Sequence, residues 1–378
     1  MKVKLSDAFD LQMGKTPPRN DRECWGEGHK WISISDIGST GKYIDATKEE
    51  ITDAGVSKSG IKVVPKGTVI MSFKLSIGKT AITAEDMYTN EAIMAFINKG
   101  RYEINTDYLY HMCKGIDWLA GTNKAVLGLT LNKATMSEKE IVIPSMAEQL
   151  HVVSVLDKMD ELIALRKEQL AKLDQLVKSR FIELFDVQKC QKKTLGECTD
   201  FVDYRGHTPE LSDAGTIRMV NAKSVGKGFF KYVDEYVTEE TYDSWMHRGF
   251  GYPGDILFVT EGHTFGNTCL IPNDLKKFAL GQRVITIKGH QEVLNAFLCS
   301  YMQTDMFWKD INVYRTGGTA QGIRSKDLVK VYVPIPPLEQ QKQFAAFVEQ
   351  TDKSKLVIQQ SLDKLELLKE SLMQEYFG

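Results

Sequence analysis

Neither a membrane anchor nor a cysteine framework is written into this chain. No apolar run approaches the ~20 residues that a bilayer-crossing helix needs, and residues 1–10 alternate charge with apolarity. The expectation is a cytoplasmic protein without membrane contact. Six cysteines (Cys24, Cys113, Cys190, Cys198, Cys269, Cys299) are scattered through 378 residues with no Cys-x-x-Cys spacing, which argues against a disulfide scaffold and a zinc knuckle. None of the seven histidines has another four residues away, so no helical His pair can bind zinc. Gly78-Lys79-Thr80 resembles a phosphate loop but has Phe73 where the first glycine is required, and Gly14-Lys15-Thr16 has Phe9 there. The chain also lacks an Asp/Asn-Pro-Pro-Tyr/Phe stretch to hold an extrahelical adenine and a Gly-x-Ser-x-Gly elbow, and no Gly-x-Gly loop follows a strand to hold a nucleotide cofactor. No metal or catalytic residue is therefore nominated, although spacing alone leaves open a site built from distant residues.

Positive charge is scarce as well. The chain carries a net charge of −2, whereas phosphate contacts normally demand a basic footprint. Counted by segment, residues 1–145 and 189–336 are each +1, and residues 146–188 and 337–378 are each −2. A near-neutral domain can still gather cations on one face, and a subunit that meets DNA beside partners can leave phosphate contacts to them.

What the chain does contain is itself, twice, with a period near 190 residues. Gly14-Lys15-Thr16-Pro17 matches Gly206-His207-Thr208-Pro209, and Trp31-Ile32-Ser33-Ile34-Ser35 matches Ile217-Arg218-Met219-Val220-Asn221. Ile77-Gly78-Lys79-Thr80 matches Phe265-Gly266-Asn267-Thr268, and Ile143-Pro144 with Glu148-Gln149 matches Ile335-Pro336 with Glu339-Gln340. Three proline pairs, Pro17/Pro209, Pro65/Pro253 and Pro144/Pro336, keep step with them. Each copy begins with short β-like runs bounded by Gly, Pro, Asn and Asp, such as residues 67–73 and 92–97, and has room for helices near 106–114 and 292–308. That pattern is a mixed α/β domain whose strand order cannot be read from the sequence.

Each copy ends differently. Residues 147–189 contain no Gly or Pro, and none follows Pro337 until Gly378. Leu156, Ile163, Leu170, Val177 and Leu184 recur every seven residues, widened by Met159, Leu173 and Phe181, and Phe344, Thr351, Ile358, Leu365 and Leu372 repeat the stripe. Two matching stripes after two matching domains predict mutual pairing. A helix of ~40 residues is ~60 Å long, so an antiparallel pair would act as a ruler between two half-sites on duplex DNA.

Polar residues of glycine-bearing loops suit base reading. In the first copy they are Lys15, Thr16, Arg19 and Arg22 near the start, then Asn123, Lys124, Thr130, Asn132 and Lys133. In the second they are Arg205, His207 and Thr208, then Arg315, Thr316, Thr319, Gln321 and Arg324. Arg and Lys can bridge guanine acceptors, and Asn and Gln can pair with adenine. For any one of them, a solvated loop side chain is the blander account.

The Gly-x-Thr-Pro turn, the Trp31-Ile32-Ser33-Ile34-Ser35-Asp36-Ile37 stretch, and Ile-Pro with Glu-Gln leading into a heptad helix together resemble the type I restriction-modification specificity subunit family. The likeness covers nearly the whole chain. Pro334-Ile335-Pro336-Pro337-Leu338-Glu339-Gln340-Gln341 is the closer copy; Ile143-Pro144-Ser145-Met146-Ala147-Glu148-Gln149 lacks the second proline and reads as one residue longer. The resemblance implies two tandem α/β target-recognition domains, 1–145 and 189–336, separated by two long antiparallel coiled-coil-like helices, 146–188 and 337–378, as a pseudo-twofold internal repeat. It implies double-stranded DNA as ligand, read as an asymmetric bipartite site, with methylase and restriction subunits as partners. The chain itself would need no cofactor, since S-adenosylmethionine, ATP and magnesium serve those partners. Two other readings stay open on the residues alone: a metal-dependent nuclease with a dispersed acidic site, and a coiled-coil scaffold.

Overall fold

The computed structural model describes every residue except 39–40, 75, 121–130, 205–207 and 318–320. Contacts divide the chain into two compact units, Met1–Lys167 with Gln360–Gly378, and Glu168–Gln359.

In unit 1, Phe9–Met13, Ile93–Asn98, Val69–Ser72 and Thr80–Thr83 pair antiparallel in that order, and Tyr43–Ile44 adds a parallel edge. Val69–Ser72 and Thr80–Thr83 are buried at every position, which is why the sequence shows unbroken apolar runs rather than alternation. A second sheet has Trp25–Ile32 at its centre, antiparallel to Glu49–Ile51 and parallel to Tyr88–Thr89. Lys2–Lys4 and Glu140–Val142 close the domain as an antiparallel pair.

Unit 2 repeats the plan. Thr199–Asp203, Val284–Gly289, Ile256–Val259 and Thr268–Leu270 form the antiparallel sheet in the same order. Ile217–Val220 lies antiparallel to Tyr236–Val237 and parallel to Phe278–Leu280, and Gln191–Thr194 pairs with Tyr332–Ile335. Among the described residues, the edge strand Tyr43–Ile44 has no counterpart in unit 2, and the helix Asp305–Ile311 has none in unit 1.

The hydrogen bonds also correct the sequence alignment. Asn90 N–H donates to Ile32 O at 3.0 Å, and Gly281 N–H donates to Val220 O at 2.8 Å. Ser33 then turns back onto Asp36 as Asn221 does onto Ser224. Trp31 therefore corresponds to Met219, two residues beyond the position that matching letters suggest. Composition misled there because β-branched residues recur throughout these strands.

The predicted long helices are Met146–Leu184 and Leu338–Phe377. In unit 1, Asp160 meets Lys369, Lys167 meets Glu366 at 2.8 Å, and Arg166 donates to Ser361 at 3.2 Å. In unit 2, Asp174 meets Lys355 at 2.7 Å, and the Phe181 and Phe344 rings lie 5.5 Å apart. Residue numbers rise along one helix as they fall along the other, so the helices run antiparallel. Leu156, Met159, Phe181, Phe344 and Thr351 of the predicted stripe are buried, and Ile163, Leu170, Val177, Ile358 and Leu365 are half-buried.

Candidate nucleic-acid interface

Each main sheet has two unlike ends. At one end a long helix is fastened. Gln149 is fully buried; its amide donates to Glu103 O at 3.0 Å and Pro144 O at 3.1 Å, and its carbonyl oxygen accepts from Asn105 N–H at 2.8 Å. Gln341 does the same with Glu292 O at 2.9 Å, Pro336 O at 2.8 Å and Leu294 N–H at 2.8 Å. Three bonds satisfy nearly the whole buried amide. They also align Gln149 with Gln341 rather than Gln340, which removes the extra residue inferred from the sequence. Beside Gln149, Glu148 accepts from the Ser145 hydroxyl and backbone, which holds its carboxyl below the ordinary carboxylate range.

The register places the opposite end of the sheet at Met13, Ser72 and Ile93 in unit 1, and the early polar loop leaves from there. Lys15 spans to Ser59 O and Gly60 O, both at 3.1 Å, neutralising carbonyls at the end of helix Asp53–Ser59. Thr16 donates to Glu91. Arg19 forks onto Glu49 at 2.6 and 3.1 Å and stacks over the Trp25 ring, 3.9 Å from its centroid. All three must surrender internal partners before touching a base. Arg22 is exposed and has no ion pair among the described residues. Asn132 caps helix Lys133–Ser137 by accepting from Thr135 N–H at 2.9 Å, and Lys133 is exposed. Asn123, Lys124 and Thr130 lie outside the described residues.

In unit 2 the matching end holds Asp203, Val259 and Val284. Two loops are sewn together there: Ile323 N–H donates to Thr260 O at 2.9 Å, Gly262 N–H to Gln321 O at 2.9 Å, and within the second loop Thr316 and Gly322 exchange bonds of 2.8 and 3.1 Å. Gly322 fits only because it lacks a side chain, since a Cβ would come within 2.8 Å of Glu261. Arg315 donates to Asn312 at 3.2 Å, and Gln321, Arg324 and Thr208 are exposed. Arg324 stands where Asn132 stands in unit 1, before a short helix, but makes no side-chain cap. Arg205, His207 and Thr319 lie outside the described residues. The structure thus brings Thr316, Gln321 and Arg324 to one place. It adds residues that the sequence reading passed over, Lys74 and Glu261 just past Phe73 and Thr260, and Arg283 before Val284. Lys74 directly follows the β-like run 67–73 that the sequence shows, whereas nothing in the sequence singles out Arg283.

One charged cluster lies elsewhere in unit 1. His111 is fully buried, its Nε2 2.7 Å from Asp157, and its Nδ1 has no partner among the described residues. Lys42 reaches Asp157 and Asp107, each at 2.8 Å. Burial pushes the His111 imidazole down, against the pull of Asp157. Burial alone would raise Asp157, but Lys42 and His111 hold it below its ordinary value. The cluster joins the edge strand Tyr43–Ile44 to helix Thr106–Gly115 and the long helix. Among the described residues no three His, Cys, Asp or Glu side chains are grouped to hold a metal ion, and no helix is long and apolar enough to cross a membrane.

Comparison with known proteins gives a consistent picture. The family model described as the type I restriction modification DNA specificity domain matches residues 1–175 and again 189–367. The type I restriction enzyme MjaIX specificity subunit of Methanocaldococcus jannaschii is 28% identical over 186 residues, 48% of this chain and 42% of its own length. The EcoprrI specificity subunit of Escherichia coli is 22% identical over 93% of this chain and 87% of its own. Among solved structures, the S subunit from M. genitalium superimposes with a TM-score of 0.56 at 16% identity, covering 100% of this chain and 96% of that one. A chain from a study of type I R-M complex assembly reaches 0.61 at 17%, with 100% and 97% covered. These two likenesses are to the fold.

Proposed function

The chain belongs to the type I restriction-modification DNA specificity family, and from that premise we propose that it is the non-catalytic subunit reading an asymmetric bipartite site on double-stranded DNA. The observation carrying this reading is the repeated sheet end. One backbone plan carries Lys15, Thr16 and Asn132 in the first copy, each held by an internal hydrogen bond that a base contact must displace, and Gln321, Arg315 and Arg324 in the second. A shared scaffold with unlike side chains suits two half-sites of unlike sequence. In this reading residues 1–145 and 189–336 are the readers, and 146–188 and 337–378 set their spacing.

Methylase subunits would dock on the long helices, with restriction subunits joining that assembly. Leu165, Leu176, Leu356, Val357, Leu367 and Leu368 are exposed there, more apolar surface than a solvated helix needs. Adenine methylation with S-adenosylmethionine and the ATP- and magnesium-dependent steps belong to those partners. That division of labour fits the near-neutral readers, which share phosphate contacts with neighbours.

The test is methylation mapping in a host expressing this chain with its methylase. A new adenine mark within two different short sequences separated by a fixed gap is the expected result. A palindromic or continuous mark, or none from an assembled complex, would overturn the proposal.

A further inference from the structure

At the loop end of each sheet the two halves share one backbone hydrogen bond: Phe73 N–H to Ala92 O at 3.0 Å, and Thr260 N–H to Arg283 O at 2.8 Å. The side chains around this bond are exchanged. Unit 1 has Lys74 after the donor and Ala92 at the acceptor; unit 2 has Glu261 after the donor and Arg283 at the acceptor. Each copy carries a cation beside this bond, one residue past the donor in unit 1 and at the acceptor in unit 2.

Arg283 is held there at some cost. Its φ of 70° makes it the one non-glycine residue with positive φ among those described, a conformation disfavoured for any side chain with a Cβ. Strain of this kind survives where the surroundings over-determine the backbone, and it gathers at functional sites. The surroundings here are the Thr260 bond and the ion pair of Arg283 Nε with Glu261 Oε1 at 3.1 Å. Both side chains remain about half exposed, at 53% and 55%. Glu261 occupies Nε alone, so the two terminal nitrogens have no partner among the described residues. A fixed fork of two free N–H donors matches the N7 and O6 acceptors of guanine in the major groove.

We infer that Arg283 is a specificity-determining residue that reads a guanine in the half-site taken by the second copy, with Glu261 holding its guanidinium in place. The inference deepens the specificity reading above and rests on it. Gln321 and Thr316, on the loop bonded to Thr260 and Gly262, border the same position.

The test uses the full chain assembled with its methylase, and duplexes in which every base pair of both mapped half-sites is changed singly. Arg283→Gly is the main variant, because glycine adopts a φ of 70° without strain and an undiminished thermal midpoint then shows that the fold is intact. It should lose ~10- to 100-fold discrimination at one G·C pair of one half-site and leave the other half-site's profile unchanged. Arg283→Lys keeps the charge without the fork, so it should lose the same preference while retaining affinity for scrambled DNA. Replacing that guanine with 7-deazaguanine should weaken wild type and add nothing to the loss in Arg283→Gly. Uniform weakening on every duplex would make Arg283 a phosphate contact and overturn the inference, as would an unchanged profile. A wild-type complex that discriminates no sequence would instead sink the specificity reading itself.

Discussion

At the junction of long helix and sheet, unit 2 packs Phe181, Phe185, Phe297 and Phe344, while the corresponding positions of unit 1 hold Met373, Phe377, Tyr108 and Val152. The Phe185 and Phe297 rings are 4.7 Å apart, and the equivalent Phe377 and Tyr108 rings 5.5 Å. Unit 2 therefore keeps a buried aromatic cluster where unit 1 substitutes a flexible thioether, a β-branched side chain and a phenol whose hydroxyl donates to Val142 O at 3.2 Å. The same backbone tolerates both because a core constrains volume and register more tightly than identity. Polar anchors are treated differently: the two glutamine clamps are duplicated bond for bond.

The sharpest way to break this comparison is to empty both junctions. Phe181→Ala should cost ~3–5 kcal/mol, as for a buried Phe. Met373→Ala, at a half-buried site, should cost about 1–2 kcal/mol, because less apolar surface is lost there. Denaturant unfolding measures both, and equal losses would mean that the two junctions are energetically alike. The clamps predict the reverse pattern. Gln149→Leu and Gln341→Leu should each cost ~2–4 kcal/mol, since buried backbone groups are left unpaired in either case. A clear inequality would show that only one clamp holds its helix.

The helices, the repeat and the two-domain plan were legible because helical periodicity and the absence of Gly and Pro are local signals. Strand order was not. It depends on pairings such as Met13 with Met94 and the parallel contact of Trp31 with Tyr88, which leave no local mark. The polar loops were legible as loops but not as sites. Lys15 and Arg19 look free in the sequence, yet they are spent on helix carbonyls and on Glu49 with Trp25. Arg283 lay unnoticed because its significance is a backbone angle. The clamp glutamines were seen as a motif, one position out of register in the second copy, and their burial could not be foreseen from a polar letter.

Acid provides a further contrast between the halves. Burial holds His111 below its ordinary value of 6.5, so the unfolded chain takes up a proton before the folded one does. Above that value the group has no pH-dependent effect, and as pH falls below it the fold loses stability. Asp157, held below its ordinary value, and Lys42, held above its own, keep their charges through this window. Ser300 occupies the position of His111 in unit 2. Wild type should therefore lose more thermal stability between pH 7.5 and 5.5 than His111→Ser, whose curve should be flatter; parallel curves would contradict the assignment. The smallest expected effect is that of Arg19→Ala. It removes a half-exposed fork and a stacking contact, should cost about 1 kcal/mol, and should leave base discrimination unchanged. Lost discrimination with unchanged stability would return Arg19 to the reading surface.

The central claim, that paired helices fix the gap between two independent readers, is tested most directly by lengthening both. Four residues inserted into each long helix at facing positions add ~6 Å. Methylation mapping of the resulting complex should find both half-sites unchanged and a longer gap between them. The same half-sites at the original gap would contradict the account.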